Sequence, residues 1–162
     1  MNAPTLTAAE PSAVLAIARV WLGTPYLHQS SLQGVGCDCL GLARGIWRAL
    51  HGDEPWEVPP DSRDWGEAGK REVLAEAART ALIEIPLDAA GPGTLILFRM
   101  GSGVPAKHCG LLGESVIRPS LIHAYDRSGV VDEAFTSAWS RRATFAFLFP
   151  AAPAPVNPAE VI

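Results

Sequence analysis

Cys37 and Cys39 stand on either side of Asp38 in the stretch GVGCDCLGLARGIW, residues 34 to 47. They are two of the three cysteines in a chain of 162 residues, and the third is Cys109. Such a pair admits three kinds of chemistry: half of a metal site, a disulfide, or the presentation of one reactive thiol. A reactive thiol must be a thiolate, so its pKa has to fall below the ordinary value of about 8.5. The start of a helix helps, because unpaired N–H groups and the macrodipole favour negative charge there. The run CLGLARGIWRAL carries Leu42, Ile46 and Leu50 at helical spacing, and Asp38 suits the cap before it. Cys39 then falls in the first turn and Cys37 in the loop ahead of it. Amides of that turn can also form part of an oxyanion hole.

A thiolate nucleophile needs a base, usually histidine. His108 in KHCGLL and His123 in LIHAYD lie in strand-like runs, and two neighbouring strands can set them side by side. One ring would take the proton of Cys39 and the other would orient the first. His28 and His51 fall in loops. Blander readings stand beside this one: a single cysteine at a helix start is commonly a small buried hydrophobe, and a strand histidine is commonly structural. A zinc site would draw on Cys37, Cys39, His108 and Cys109. Its ligand pairs would be separated by one residue or by none, and adjacent strand residues face opposite sides. A Cys37–Cys39 disulfide would close a very small strained ring.

The elements that must carry these groups change in character along the chain. Residues 1–10 read as a flexible N-terminus. PSAVLAIARVWL, residues 11–22, has Val14, Leu15, Ala18 and Leu22 at helical spacing and a proline in its first turn. A polar loop spans 27–36, and the cysteine-bearing helix follows. Gly41 and Gly45 weaken that helix by about 1 kcal/mol each relative to alanine, and small residues four apart admit a close neighbour. Residues 51–66, with two tryptophans and three prolines, read as a long loop. KREVLAEAARTAL, residues 70–82, is a third amphipathic helix. Five short β-type runs come next, at 94–100, 108–113, 120–126, 129–135 and 143–150. Helices first and antiparallel strands afterwards make an α+β fold. Residues 151–162 form a proline- and alanine-rich tail.

Length suits one domain with one sizeable core. Fourteen prolines and fifteen glycines argue against a plain helical bundle, and a formal net charge of −4 argues against a nucleic-acid partner. The N-terminus carries no basic and apolar signal pattern, and no run is long enough to span a membrane. The expectation is a protein made in the cytoplasm without a signal peptide.

GTPY at 23–26, DCLGL opening a helix, GTLILF at 93–98, HCGLL and LIHA follow one another in an order that resembles the NlpC/P60-type papain-like peptidases of the bacterial cell wall. The resemblance runs over residues 11–150. His28-Gln29 after the tyrosine, GCDCLGL, and the closing WSRRATFAFLFP resemble the branch found on phage and gene-transfer-agent tails. It implies a papain-like fold in which N-terminal helices, one carrying the nucleophile, pack on an antiparallel sheet. It also implies Cys39 as nucleophile, His108 as base and His123 as the group that orients it. Tyr26 and Asp38 are expected near the oxyanion or substrate. No metal or cofactor is implied. The implied reaction is cleavage of peptidoglycan stem peptides, typically between a γ-D-glutamyl residue and a diamino acid. The implied partners are tail-tip or baseplate hub proteins of a phage-like particle, and the implied place of action is the periplasm or wall of the target cell. Two positions depart from the wider family: Leu40, where serine is usual, and Thr94, where aspartate is frequent. The alternatives are a structural tail component that keeps the fold without turnover, and a papain-like amidase or acyltransferase.

Overall fold

A computed structural model describes residues 6–55 and 70–152. Its centre is a six-stranded sheet of order β3-β8-β4-β5-β6-β7, antiparallel at every pairing. The strands are β3 (Ile83–Ile85), β4 (Leu95–Phe98), β5 (His108–Gly113), β6 (Ser120–Tyr125), β7 (Gly129–Ala134) and β8 (Ala143–Leu148). Four of them form a meander, β4 to β7, and β8 returns to lie beside β4. Two short strands, β1 (Ser31–Leu32) and β2 (Gly36–Cys37), make a separate hairpin just ahead of the helix that carries Cys39.

The period-2 pleat sorts the apolar residues onto two faces. Leu95, Leu97, Cys109, Leu111, Ile122 and Phe147 belong to the main core, with the helices α1 (Pro11–Arg19), α2 (Cys39–His51) and α3 (Val73–Arg79). Ile96, Phe98, Leu112, Leu121 and Ala146 gather instead around Trp139, on the short helix α4 (Ser137–Ser140). Both faces are therefore covered, which is why β4, β5 and most of β6 read as continuous apolar runs.

Helix α2 is held against the core by Leu42, Ile46 and the half-buried Leu50. Its two glycines admit close neighbours, as their spacing suggested. A Cβ at Gly41 would stand 2.0 Å from the Ser30 carbonyl oxygen, and one at Gly45 would stand 2.0 Å from Cζ2 of Trp21. Helix α1 is shorter than the sequence pattern implied. It ends at Arg19, and turns at Trp21 and Leu22 follow. Trp21 then becomes the buried group against α2, while Leu22, expected on the buried face, is exposed. Helix α3 is likewise trimmed from 70–82 to Val73–Arg79, because Glu72 leaves helical geometry and commits its carboxylate to Arg99 and the Ala106 N–H.

Residues 7–9, expected in a flexible terminus, are pinned at the end of β8. Ala8 bridges Pro150, the Ala9 N–H donates to the Phe149 carbonyl at 2.8 Å, and the Ala151 N–H donates to the Thr7 carbonyl at 2.7 Å. Backbone pairing of this kind leaves no side-chain signature. Most of the 51–66 loop (56–66) and of the tail (153–162) lies outside the described residues. Among the described residues no helix is long and apolar enough to cross a membrane.

The Gly45–Trp21 contact makes a prediction against helix propensity. Gly45→Ala should gain about 1 kcal/mol of propensity, yet lose more by forcing the indole aside, an overpacking cost of about 1–3 kcal/mol. A urea melt should show a lower midpoint with an unchanged slope. A raised midpoint would contradict this packing.

Candidate active site

Asp38 determines where Cys39 sits. Its Oδ1 accepts the Gly41 N–H at 2.7 Å, capping α2, and its Oδ2 accepts the Gln29 N–H at 2.7 Å. One carboxylate thus closes the helix start and fixes the loop before it. Gln29 is held at φ 58°, a left-handed conformation uncommon for glutamine. The loop is tied down further where the Asp38 N–H donates to the Ser30 carbonyl at 3.3 Å and the Ser31 hydroxyl to the Gly41 carbonyl at 2.5 Å. Arg48 donates to both the carbonyl and the hydroxyl of Ser31. Arg44 and Arg48 in turn share Glu54 and, against the cost of its burial, hold its carboxyl below the usual range.

Cys39 is consequently the first residue of α2, half-buried, at the wall of a cleft of about 190 Å³. Tyr26, His28, Asp38, Arg44, Arg71 and Lys107 line the same cleft. Tyr26 reaches it because its backbone bridges Cys37 beside the helix start. The N–H groups of Cys39 and Leu40, in the first turn, have no partner within the helix. The adjacent N–H of Gly41 is taken by Asp38, whose side chain serves the backbone while bordering the cleft. His28 lies 3.8 Å from Asp38 and is exposed. His51 is the last residue of α2, not a loop residue; it stacks on Trp47 and contacts the Pro150 carbonyl at 2.9 Å.

The strands bring His108 and His123 together across β5 and β6. His108 Nε2 and His123 Nδ1 are 2.8 Å apart, and both rings are buried. Trp139 stacks on His108 with ring centroids 5.5 Å apart and meets His123 edge-on at 5.0 Å. Phe98 and Tyr125 complete the aromatic surround. Burial, with His108 alongside, lowers the His123 pKa, and Glu133 opposes the shift only in part. His123 is therefore a neutral ring near pH 7.

Two neighbours act on Cys39 from β5. A hydrogen bond from the Cys109 thiol, followed by the charge and hydrogen bonding of His108, holds the Cys39 thiol well below its ordinary value despite burial. The same contact with Cys39, together with burial, pushes Cys109 well above the ordinary thiol value. Cys109 Sγ also lies 3.3 Å from the Cys39 carbonyl oxygen, within reach for donation. Although β5 turns His108 and Cys109 to opposite sides, both meet Cys39 where the strand begins. Cys37 differs: it is fully buried in the main core, and burial pushes its thiol up to about 11. All three cysteines are free thiols. Among the described residues no three His, Cys, Asp or Glu side chains converge as metal ligands would.

Two groups at the site lie beyond the sequence reading, Trp139 and Glu133, and a third, Cys109, enters it only as a possible metal ligand. Glu133 accepts the indole N–H of Trp139 at 3.0 Å, and the same oxygen lies 2.9 Å from His123 Nε2. The adjacent acids Asp132 and Glu133 can be told apart only by register. Leu121 pairs Glu133 and His123 pairs Val131, so Glu133 and His123 share a face diagonally.

No model of a known protein family matches the chain. Tail tip assembly protein K of Escherichia phage lambda is 31% identical over 121 residues, 73% of this chain. The chain spans 56% of that relative's own length. Among solved structures, the NlpC/p60 domain of the peptidoglycan hydrolase SagA superposes with a TM-score of 0.56 at 22% identity, covering 86% of this chain and 98% of that domain. An NlpC/P60 family protein from Bacillus cereus superposes with a TM-score of 0.60 at 18% identity, covering 89% of this chain and 41% of that one. A similar NLP/P60 protein from Staphylococcus aureus gives 0.56 at 20% identity, covering 91% and 45%. The fold is the papain-like fold of NlpC/P60 domains, with α2 and the antiparallel sheet in the expected relation.

The environment of Cys39 makes its reactivity depend on pH in a particular sense. A thiol whose pKa is lowered remains a thiolate as pH falls below the ordinary thiol range. Alkylation of Cys39 by iodoacetamide should therefore continue at pH 7 at near its alkaline rate, and decline only at more acidic pH. Cys109→Ala removes the largest stabilising contact and should move that decline toward alkaline pH. A rate that keeps falling from pH 9 to pH 7 in the parent protein would show that Cys39 is an ordinary thiol.

Proposed function

We propose that the protein is a cysteine endopeptidase that cleaves the stem peptides of bacterial peptidoglycan. The observation that carries this reading is the Cys39 thiol: it stands at a helix start, in a cleft, beside a histidine already engaged by a second histidine. Such a grouping does acyl transfer through a thiolate nucleophile.

The mechanism follows from the atoms. Cys39, as thiolate, attacks the scissile carbonyl, and the proton it lost resides on His108. Charge on the carbonyl oxygen develops beside the first-turn N–H groups of Cys39 and Leu40, with Tyr26 on the same wall. His108 passes its proton to the leaving amine, and a thioester to Cys39 remains. Water, deprotonated by His108, hydrolyses the thioester and restores the thiolate. His123 keeps the His108 ring in one orientation throughout. No step needs a metal. Lys107 stands on the cleft wall with Arg44, which is paired to Glu54, and Arg71, which is paired to Glu76.

The likeness to a tail tip assembly protein supports a place for this activity on a phage-like tail, where the enzyme would open the wall of a target cell in its periplasm. Its partners there would be tail-tip or baseplate proteins.

Cys39→Ala should reduce peptidoglycan digestion by a thousandfold or so, the scale expected for loss of a nucleophile. Cys37→Ala should leave digestion intact, since that thiol is a core group with no access to the cleft. Mass spectrometry of defined stem-peptide fragments reads both results and identifies the bond cleaved. Equal digestion by Cys39→Ala and the parent would rule out the mechanism; no digestion by either would favour a structural tail component.

A further inference from the structure

We infer that Glu133 is a positioning residue that, held by Trp139, fixes the proton pattern of both histidines and so selects Nδ1 of His108 as the basic atom. The indole N–H of Trp139 can only donate. It donates to Oε1 of Glu133 at 3.0 Å, so that oxygen is an acceptor there. His123 Nε2 lies 2.9 Å from the same oxygen and must supply the proton between them. A neutral imidazole carries one N–H, so Nδ1 of His123 is then a bare lone pair. That lone pair faces His108 Nε2 at 2.8 Å, and His108 Nε2 in turn must donate. Nδ1 of His108 is left without a proton, and it is the one ring nitrogen not engaged by His123.

The reversed pattern would put a bare His123 Nε2 against a carboxylate oxygen that already accepts from an indole. Two lone pairs would meet at hydrogen-bond distance in a buried aromatic surround, an arrangement with no compensating donor. Glu133 therefore biases a ring it does not touch. Its side chain is about half exposed, on the edge strand β7, so the relay runs from a buried pair of rings to a solvated carboxylate. The use of this pattern in general-base chemistry rests on the function proposed above; the proton pattern itself does not.

Nitrogen-15 NMR of the histidine rings tests the proposal directly. The full chain is labelled and studied as Cys39→Ala, so that no thiolate draws a second proton onto His108. His108 and His123 should both appear as Nε2–H rings with bare Nδ1. Adding Glu133→Ala should convert His123 to a mixture of the two neutral forms, and His108 with it. Adding Glu133→Gln instead should retain the parent pattern, because Trp139 still demands an acceptor and turns the amide oxygen toward His123. In the active protein, Glu133→Ala should lower kcat by about tenfold to a hundredfold with KM little changed, as outer partners of an oriented histidine do. Glu133→Gln should restore most of that loss.

A His123 ring protonated at Nδ1 overturns the proposal, as do tautomers unaffected by Glu133→Ala. The parent spectrum decides even if Glu133→Ala does not fold. The NMR readout needs no substrate. A protein with the expected tautomers that leaves peptidoglycan uncut would overturn the peptidase reading and uphold this one.

Discussion

The Asp38 carboxylate is the constraint on which the rest of the site depends. Its two oxygens accept two backbone N–H groups, Gly41 in the helix and Gln29 in the preceding loop, each at 2.7 Å. A cap of this type is worth about 1 kcal/mol to a helix. Here it does more, because it defines where the helix begins, and the next residue is Cys39. The close approach of Ser30 to Gly41 follows from the same closure, and only glycine leaves room for it. Burial raises the pKa of Asp38, the adjacent thiol adds to that, and the two N–H donors counter in part. The backbone it organises thus favours its ionised form against the effect of burial.

A helix start alone cannot explain the lowered pKa of the Cys39 thiol, since Asp38 is a negative neighbour. The balance is tipped from the sheet. Cys109 hydrogen-bonds to the thiol and His108 stands beside it, and both are delivered by the first two residues of β5. The register of β5 on β6 brings the second imidazole to the first, and the register of β6 on β7 brings Glu133 diagonally to the second. Each contact is a consequence of strand pairing, so the ordering of the site is inherited from the order of the meander.

That dependence accounts for what the sequence discloses and what it conceals. Strands β4, β5 and most of β6 are legible because both faces are covered and the runs are apolar. Helix α2 is legible because Asp38, Leu42, Ile46 and Leu50 keep its phase. Strands of two or three residues, such as β1, β2 and β3, have no run long enough to show a period, and α4 has a single turn. Cys39, His108 and His123 stand out by residue type. Glu133 does not: DE inside a strand offers two acids, and a register shift of one would present Asp132 instead. From sequence Cys109 enters only as a possible metal ligand; in the structure it is a core residue, and its contact with Cys39 depends on how α2 docks on β5. The early end of α1 was hidden for a similar reason, because Trp21 and Leu22 are both apolar and only Gly45 decides which one is buried.

The protonation states fit together only in one arrangement. In the proposed mechanism the proton given up by Cys39 leaves a positive charge on His108, and that charge has to face His123 at 2.8 Å. A charged His123 would repel it, so the relay requires His123 to stay neutral. Burial among Trp139, Tyr125 and His108 supplies that condition by lowering the pKa of His123. Burial by itself would leave the neutral ring free to choose either tautomer. The carboxylate of Glu133 makes the choice, and its own half exposure spares the fold a buried unpaired charge. A dry ring for neutrality and a wet carboxylate for direction are separate demands, and the edge of the sheet is where both can be met. His123 at the interior of β6 and Glu133 on the edge strand β7 occupy those two places.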